Sequence, residues 1–342
     1  MRITTRNDTI FSTTLLLTTE KPVIENKPED TFETLLFWPV GVGRRGEGGL
    51  RTQGYFKQSM PDKPLITVVT VVFNGEKFLD ETIQSILNQT YDNLEYIIID
   101  GGSTDGTLDI IQKYDHAIDY WVSERDNGIY DAMNRGIRLS LGDIIGLVNA
   151  DDFLYLHAAE TVARKFIESP PLALVYGSID LINESGEIFG KTFSTAEEEI
   201  EKRKFKEIPF PHLSCFLAQY VYQKVGLFDM SFRLSADYDF LLRVIEKSFP
   251  RSDAHATLGG FRVGGRSGGI ATYLETKKVH RKHGVSCFMV ELTFFKSMVK
   301  LTAVKVLPLS VVRFIKGFRK KSKHLLIKVS TEKETSPHRY SQ

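Results

Sequence analysis

Residues 68–107 read VVTVVFNGEKFLDETIQSILNQTYDNLEYIIIDGGSTDGT. A continuous apolar, β-branched run over 65–73 is followed by a segment over 76–88 whose apolar residues recur at helical spacing. A second apolar run follows over 94–99. Continuous apolar runs are typical of parallel strands that are covered on both faces. The stretch therefore predicts a strand–helix–strand unit of an α/β sheet.

The same alternation continues toward the carboxyl terminus. We expect helices over 108–114 and 129–139 and strands over 118–123 and 143–149. The second half alternates less regularly, with a strand over 172–182, a charged helix or loop over 197–206, a turn over 209–212, and helices over 220–225 and 236–247. This order predicts an α/β fold with a mostly parallel central sheet and helices on both faces.

Composition is that of an ordinary globular protein. Of the 342 residues, 42% are hydrophobic and 25% charged, and the net charge of +1 gives no indication of a nucleic-acid partner. Two cysteines, Cys215 and Cys287, make no disulfide framework and favour a reducing compartment. The amino-terminal residues lack a signal-peptide cleavage site, and no run of about 18 apolar residues exists. We expect a cytoplasmic protein without a spanning helix.

Residues 1–63 show weak periodicity, and residues 41–54 are rich in glycine and arginine, which predicts an amino-terminal extension with a flexible loop or linker. Residues 41–46 have the glycine spacing of a dinucleotide-binding turn. Pro39 in the preceding apolar run and the glycines at 48 and 49, where a helix should begin, argue against that interpretation.

Polar side chains follow each of the first four predicted strands. They are Asn74, Asp100, Glu124 with Asp126, and Asp151 with Asp152. Ligands of open α/β sheets bind at this edge. Adjacent carboxylates repel each other unless a cation or a donor group meets them, and Mg²⁺ takes one or two carboxylates plus phosphate oxygens. Asp151 and Asp152 therefore predict a metal site, with a helix cap as the alternative.

Three segments resemble the nucleotide-binding half of family 2 glycosyltransferases, which have the GT-A fold. They are the stretch quoted above, SERDNGIYDAMNRGI (123–137) and GDIIGLVNADD (142–152). The resemblance is dense over 64–152 and weaker to about residue 285, and it is strongest to the bacterial branch that builds colanic acid, O-antigen and exopolysaccharide. It implies a GT-A domain over 64–288, with a nucleotide-sugar half over 64–152 and an acceptor half over 153–288. The implied reaction is inverting transfer from a nucleotide-diphosphate sugar to a sugar or lipid-linked glycan acceptor, with Mn²⁺ or Mg²⁺.

The resemblance also implies roles for individual residues. Asp100 would contact the nucleobase or ribose, and the loop bearing Glu124, Asp126 and Asn134 would close over the nucleotide, beside Asn74. Asp151 would contact the substrate, and the metal would fall to Asp151 and Asp152, with either as the direct ligand. Many relatives have Asp where Asn149 and Gly101 stand, so this site is less negative.

The catalytic base of relatives matches Asp237 within LSADYDF (234–240). A positioned carboxylate activates a hydroxyl nucleophile, whereas a helix N-cap is the alternative for Asp237. Asp239 is expected to be structural. His212 is either part of the acceptor or phosphate pocket or a turn histidine with internal partners.

The carboxyl-terminal tail, 289–342, carries ten basic residues and no acid between Leu292 and Val329, with apolar residues interleaved. Such a segment is typical of peripheral contact with an anionic membrane, here on the inner face of the cell membrane, and a helix packed on the domain is the alternative. His280 and His283 predict a basic surface patch rather than a metal site.

Two other functions are alternatives to a glycosyltransferase. Sugar nucleotidyltransferases share the layout but need a basic glycine-rich loop after the first strand, which residues 74–76 do not provide. A degenerate relative that binds a nucleotide sugar, or serves as a scaffold at the membrane, is the second alternative. The acids at 100, 151, 152 and 237 favour an enzyme.

Overall fold

The structure is a computed structural model that describes residues 11–206, 208–264, 270–292 and 294–295. The strands are β1 (Gly46–Gly48), β2 (Ile66–Val72), β3 (Leu94–Asp100), β4 (Tyr120–Ser123), β5 (Ile144–Asn149), β6 (Phe153–Leu154), β7 (Leu174–Ile182), β8 (Ile188–Thr192), β9 (Phe216–Ala218) and β10 (Arg251–Arg262). The α-helices are α1 (Leu79–Leu87), α2 (Thr107–Lys113), α3 (Ile129–Leu139), α4 (Ala158–Glu168), α5 (Glu197–Arg203), α6 (Gln219–Val225), α7 (Ala236–Glu246) and α8 (Ile270–Lys282).

The strands described form one sheet in the order β1-β4-β3-β2-β5-β9-β7-β10-β6, with β8 paired to β7. The four adjacent strands β4, β3, β2 and β5 are parallel. Both faces of these strands are covered. Val69 and Ile97 belong to the cluster that contains Met133 of α3, whereas Val68 and Ile98 belong to the cluster around α1. The continuous apolar runs are explained by this double coverage.

The second half of the sheet is mixed. β9 is antiparallel to both β5 and β7, β10 is parallel to β7, and β6 is antiparallel to β10. The mostly parallel sheet that the sequence predicted is confirmed: β4, β3, β2 and β5 are parallel, as are β7 and β10, and antiparallel pairs occur where β9, β8, β6 and β1 join. β10 contains Gly259 and Gly260, which lie against Phe153 of β6 and leave no room for a side chain there. A strand with this composition has no apolar run that would have predicted it.

The prediction of a flexible loop or linker over 41–54 is wrong for residues 46–53, which are ordered against the sheet. β1 extends the sheet by pairing antiparallel with β4, and a 3₁₀ turn over Leu50–Gln53 follows it. The buried guanidinium of Arg51 donates to Glu95 at 2.7 Å and to the carbonyl oxygen of Leu139 at 2.9 Å. Residues 46–53 are therefore part of the folded domain.

The prediction that His280 and His283 form a basic surface patch is also wrong. His280 is buried and shares a hydrogen bond with the hydroxyl of Tyr238, and the His283 side chain lies between Asp239 and Glu246. Neither histidine belongs to a surface patch. Most of the predicted tail, and with it the predicted membrane segment, lies outside the described residues. No helix in the described ranges has the length and hydropathy of a membrane span.

Candidate functional site

The loops that follow β2, β3 and β4 meet at one fully buried carboxylate, that of Asp100. Its oxygens accept hydrogen bonds from the backbone N–H and hydroxyl of Ser103 and from the hydroxyl of Ser123. The Ser103 oxygen in turn accepts the backbone N–H of Asn74 at 2.7 Å. Asp100 thus holds the three loops in place, and contact with a nucleotide stays a prediction that requires one of these hydroxyls to turn away.

Asn74 lies in the exposed loop that follows β2. Its φ of 53° is in the left-handed region, which asparagine tolerates better than most residues. Its side-chain oxygen accepts the N–H of Thr104 at 2.8 Å, which joins the loop after β2 to the loop after β3. The predicted contact between Asn74 and the substrate is not tested by this arrangement.

The loop after β4 separates two carboxylates that the sequence predicted to act together. Glu124 is buried and accepts the N–H of Gly41 and the Nε–H of Arg44, each at 3.1 Å. Its carboxylate thus binds the amino-terminal segment, and the contact of Glu124 with the nucleotide stays a prediction. A buried carboxylate needs such partners to offset the loss of hydration.

Asp126 is only half-buried, and one of its oxygens accepts the N–H of Gly128 at 2.8 Å. The other oxygen lies 2.6 Å from where a β-carbon at Gly101 would stand. Burial raises the pKa of Asp126. Asp126 thus places a carboxylate over Gly101.

The side chain of Asn134 forms hydrogen bonds within the chain. Its side-chain N–H donates to the carbonyl oxygen of Phe228 at 3.0 Å, and its oxygen accepts the N–H of Phe228 at 2.9 Å. The buried amide thus joins α3 to the segment that carries Phe228, and the role of Asn134 in closing over the nucleotide stays a prediction.

The acidic pair after β5 consists of two unlike carboxylates. Asp152 is buried, accepts the backbone N–H of Arg262 at 2.9 Å, and is contacted by Asn149 at 3.2 Å. Burial, with the charge of Asp151, raises the pKa of Asp152 to about 8. Asp151 is half-buried, and burial raises its pKa while the charge of Arg262 opposes the rise.

Arg262, at the end of β10, was missed by the sequence analysis. Its guanidinium donates to the carbonyl oxygens of Asp151, Asn183 and Glu184 and forms an ion pair with Glu81 at 2.7 Å. It therefore fixes the loop that carries both acids. No sequence signal pointed to Arg262, because β10 itself was not predicted.

Of the two acids after β5, only Asp151 is placed to bind a divalent cation. Among the described residues, no group of three His, Cys, Asp or Glu side chains is placed to hold a metal ion. The Asp151 side chain forms no hydrogen bond or ion pair with another side chain in the described ranges. One such carboxylate, completed by phosphate oxygens and water, suits Mg²⁺ or Mn²⁺.

Asp237 lies in the first turn of α7, where Ser235 is the N-cap residue. Its Oδ1 accepts the hydroxyl of Tyr130 at 3.1 Å and the N–H of Tyr238 at 2.9 Å. Oδ2 receives no hydrogen bond from the part of the chain that the structure describes. Asp237 is therefore not the N-cap of α7, and one of its carboxylate oxygens is free to accept a proton.

Tyr130 belongs to the first turn of α3 and was not singled out from the sequence, although it stands in the segment 123–137 that carries the resemblance. His212 opens the 3₁₀ turn His212–Ser214 and packs edge-on against Phe228, with ring centroids 5.9 Å apart. Burial lowers the pKa of His212, and the nearby negative charge of Asp237 acts in the opposite direction. The structure thus brings His212, Tyr130 and Asp237 together.

Comparison with known proteins assigns the family. Residues 67–226 match the model of "Glycosyl transferase family 2". A PGL/p-HBAD biosynthesis glycosyltransferase of Mycobacterium bovis is 32% identical over 186 residues, which is 53% of this chain and 69% of the relative. This chain belongs to glycosyltransferase family 2. Chondroitin synthase of Escherichia coli is also 32% identical, over 54% of this chain and 27% of its own length.

Solved structures confirm the GT-A fold. S. aureus TarS 1-349 superposes with a TM-score of 0.51 at 14% identity, over 72% of this chain and 76% of that chain. The mannosyltransferase PcManGT of Pyrobaculum calidifontis superposes with a TM-score of 0.50 at 17% identity, over 77% and 82% of the two chains. The family match ends before Asp237 and begins after the amino-terminal extension.

Proposed function

We propose that this family 2 enzyme transfers a sugar, with inversion, from a nucleotide-diphosphate sugar to a hydroxyl group of a sugar or lipid-linked glycan. The observation that carries the proposal is the carboxylate of Asp237, which Tyr130 holds by one oxygen while the other is free. Because Tyr130 belongs to the helix that follows the predicted nucleotide loop, this bond joins the donor half of the site to the acceptor half.

In a single displacement the acceptor oxygen bonds to the anomeric carbon as the bond from that carbon to the diphosphate breaks. Asp237 takes the proton of the attacking hydroxyl on its free oxygen, and the nucleoside diphosphate leaves with the bonding electron pair. General-base catalysis of this kind contributes about 10²–10⁴ in rate. Burial favours the neutral form of His212, which is then able to hydrogen-bond an acceptor hydroxyl beside Asp237.

Asp151 is the side chain that would hold Mn²⁺ or Mg²⁺, and Asp152, with Arg262, would keep its loop in position. When bound, the cation supplies positive charge to the leaving diphosphate. PcManGT, which has the same fold, was solved with GDP-Man and Mn²⁺. The names of the relatives, a PGL/p-HBAD biosynthesis glycosyltransferase and a chondroitin synthase, support a role in glycan biosynthesis, which we extend to cell-surface polysaccharides on the resemblance of the sequence.

The test begins with a panel of nucleotide sugars, screened by thermal shift with Mn²⁺ and then by donor hydrolysis and transfer. Asp237→Asn preserves size and hydrogen bonding but removes the base. We expect transfer to fall by at least about 10² while donor affinity is little changed.

Asp109→Asn, on the exposed face of α2, is the matched control and should transfer at the wild-type rate. Transfer by Asp237→Asn near the wild-type rate would show that the base lies elsewhere. A wild-type protein that binds a donor but neither transfers nor hydrolyses it would instead favour the binding or scaffold alternative.

A further inference from the structure

Residues 38–48, here called the Gly/Arg segment, precede the region that matches the family and cover the outer edge of the site. Strand β1 within the segment pairs with β4, and the backbone N–H of Arg45 donates to the carbonyl oxygen of Ser123 at 2.8 Å. The hydroxyl of Ser123 binds Asp100, and Glu124 follows it. The segment therefore runs beside the carboxyl ends of β3 and β4, where the predicted nucleotide loops begin.

Arg44 is the contact between this segment and the loop after β4. Its Nε–H donates to Glu124 at 3.1 Å, and its other nitrogens donate to Glu47 and to the carbonyl oxygens of Trp38 and Pro39. The side chain is 11% exposed. A guanidinium whose donors are used on several sides has one orientation, so it fixes the carboxylate that it binds.

Gly41 is fitted to the same carboxylate. Its N–H donates to Glu124 at 3.1 Å, and a β-carbon added at Gly41 would lie 2.2 Å from Glu124 Oε1. A side chain at this position would therefore require the Glu124 carboxylate to move. The Gly/Arg segment and the loop after β4 are thus complementary in both charge and shape.

Arg45 differs from Arg44 because it is exposed. Its Nη1 donates to the carbonyl oxygens of Ser103 and Gly102 in the turn after β3. Its Nε and Nη2 groups have no hydrogen-bond acceptor among the residues that the structure describes. A charged guanidinium with unused donors therefore stands at the ligand-binding edge of the sheet. It lies beside the turn after β3, toward the β4 side of the sheet, whereas Asp151 and Asp152 follow β5.

The strand order decides which end of a donor this position would meet. Neighbouring strands are about 4.8 Å apart, so the three steps from β4 through β3 and β2 to β5 span about 14 Å. Asp151, which follows β5, is the candidate metal ligand at the diphosphate end, and Asp152 positions its loop. A nucleotide lying along this edge would place its nucleoside beside β3, β4 and the Gly/Arg segment.

We infer that the Gly/Arg segment forms the outer wall of the donor site, with Arg45 contacting the nucleoside end of the donor and Arg44 acting as a positioning residue through Glu124. The inference rests on the proposed function, since it assigns one end of the same nucleotide site. It makes the amino-terminal extension part of donor recognition.

The experiment measures equilibrium binding of UDP, GDP, their monophosphates and inorganic pyrophosphate to the full-length protein. Arg45→Gln should weaken the preferred monophosphate and diphosphate by the same factor, about tenfold for one lost hydrogen bond to a charged group, and leave pyrophosphate unchanged. Arg164→Gln, exposed on α4, is the matched control and should have no effect.

Arg44 is tested through its partner. Arg44→Gln and Glu124→Gln should each raise the donor KM and leave kcat and the acceptor KM unchanged, and the double variant should be no worse than either single variant. Gly41→Ala provides an independent variant with the same expected KM effect, because its β-carbon displaces Glu124. Thermal unfolding without ligand checks that each variant is folded.

Three results would overturn the inference. Unchanged nucleotide binding by Arg45→Gln, or an unchanged donor KM in folded Arg44→Gln, Glu124→Gln and Gly41→Ala, would do so while leaving the proposed function intact. A loss confined to diphosphate and pyrophosphate would place Arg45 at the wrong end of the donor. Absence of nucleotide binding by the wild-type protein would overturn the proposed function itself.

Discussion

At the scale of single residues, the acids of the site fall into two groups according to how many partners they have. Asp100, Glu124 and Asp152 are buried and accept hydrogen bonds within the chain. Asp151 and Asp237 are only half-buried, and each has a carboxylate oxygen with room for another partner. Burial of a charge without partners is unfavourable. The acids available to a ligand are therefore those whose partner sets are incomplete.

Asp151 is the residue whose loss should remove the metal dependence. Asp151→Asn keeps the shape of the side chain but removes its charge, so the extra stabilisation that Mn²⁺ gives a nucleoside diphosphate complex should disappear. Ligand at 100 times its Kd stabilises a folded protein by about 2.7 kcal/mol, which a thermal-shift assay detects readily. The assay compares nucleotide alone with nucleotide plus Mn²⁺, using Asp109→Asn as control. Persistence of the full Mn²⁺ effect in Asp151→Asn would exclude Asp151 as the ligand.

At the scale of elements, ion pairs around the buried Asp239 hold the end of α8 against α7. Its carboxylate binds Arg243 at 3.0 Å, Lys282 at 2.8 Å and His283 at 3.1 Å. These contacts confirm the expectation that Asp239 is structural. Since α7 carries Asp237 two residues earlier, the same contacts support the position of the proposed base.

His283 should make the stability of this interface depend on pH. Burial acts to lower the pKa of His283, but hydrogen bonds to Asp239 and Glu246 outweigh it, and the net shift is upward. A histidine with a raised folded-state pKa stabilises fully below the unfolded value of about 6.5, and the contribution is lost as pH rises through the folded value. Urea unfolding at several pH values should show wild-type stability exceeding that of His283→Gln by on the order of 1 kcal/mol at low pH, with convergence at high pH. A difference that is constant with pH would contradict the charged state of His283.

The amino-terminal extension is a second element whose attachment is electrostatic. Arg51 and Glu95 form a buried ion pair at 2.7 Å, and Glu95 also accepts the hydroxyl of Thr67 and the N–H of Leu141. Arg51→Met would leave Glu95 buried without its cation, which typically costs about 3–5 kcal/mol. Chemical denaturation should show this loss, and Glu95→Gln in the same chain should restore part of it. Arg164→Met is the exposed control, and an Arg51→Met variant as stable as that control would mean that the extension contributes little to the fold.

At the scale of the whole molecule, the sequence predicted what is determined locally. Helix α3 was expected over 129–139 and is observed over Ile129–Leu139. The prediction succeeded because the apolar face of a helix follows from the spacing of residues within the helix itself. Strand β1 was missed because its pairing partner, β4, lies some seventy residues away and its composition is glycine-rich. The same limit applies to the site. The resemblance located Glu124, but only the fold shows that Arg44, eighty residues earlier, already occupies its carboxylate.

The last prediction concerns the tail, most of which lies outside the described residues and whose membrane contact we propose from its sequence. Phe288 and Phe295, 75% and 65% accessible, lie near the end of the described chain, beside the first basic residue of the segment, Lys296. Each basic residue near an anionic bilayer contributes about 1 kcal/mol within a Debye length, so several together would hold the protein at the membrane without a spanning helix. Liposome co-sedimentation should compare the full chain with a form that ends at Phe295, which keeps the pairing of Glu291 with Lys277 and Arg281. Binding of the full chain should require anionic lipid, weaken with salt and disappear on truncation. Equal binding by both forms, or binding by neither, would mean that the tail does not dock the enzyme and that a soluble acceptor is the better hypothesis.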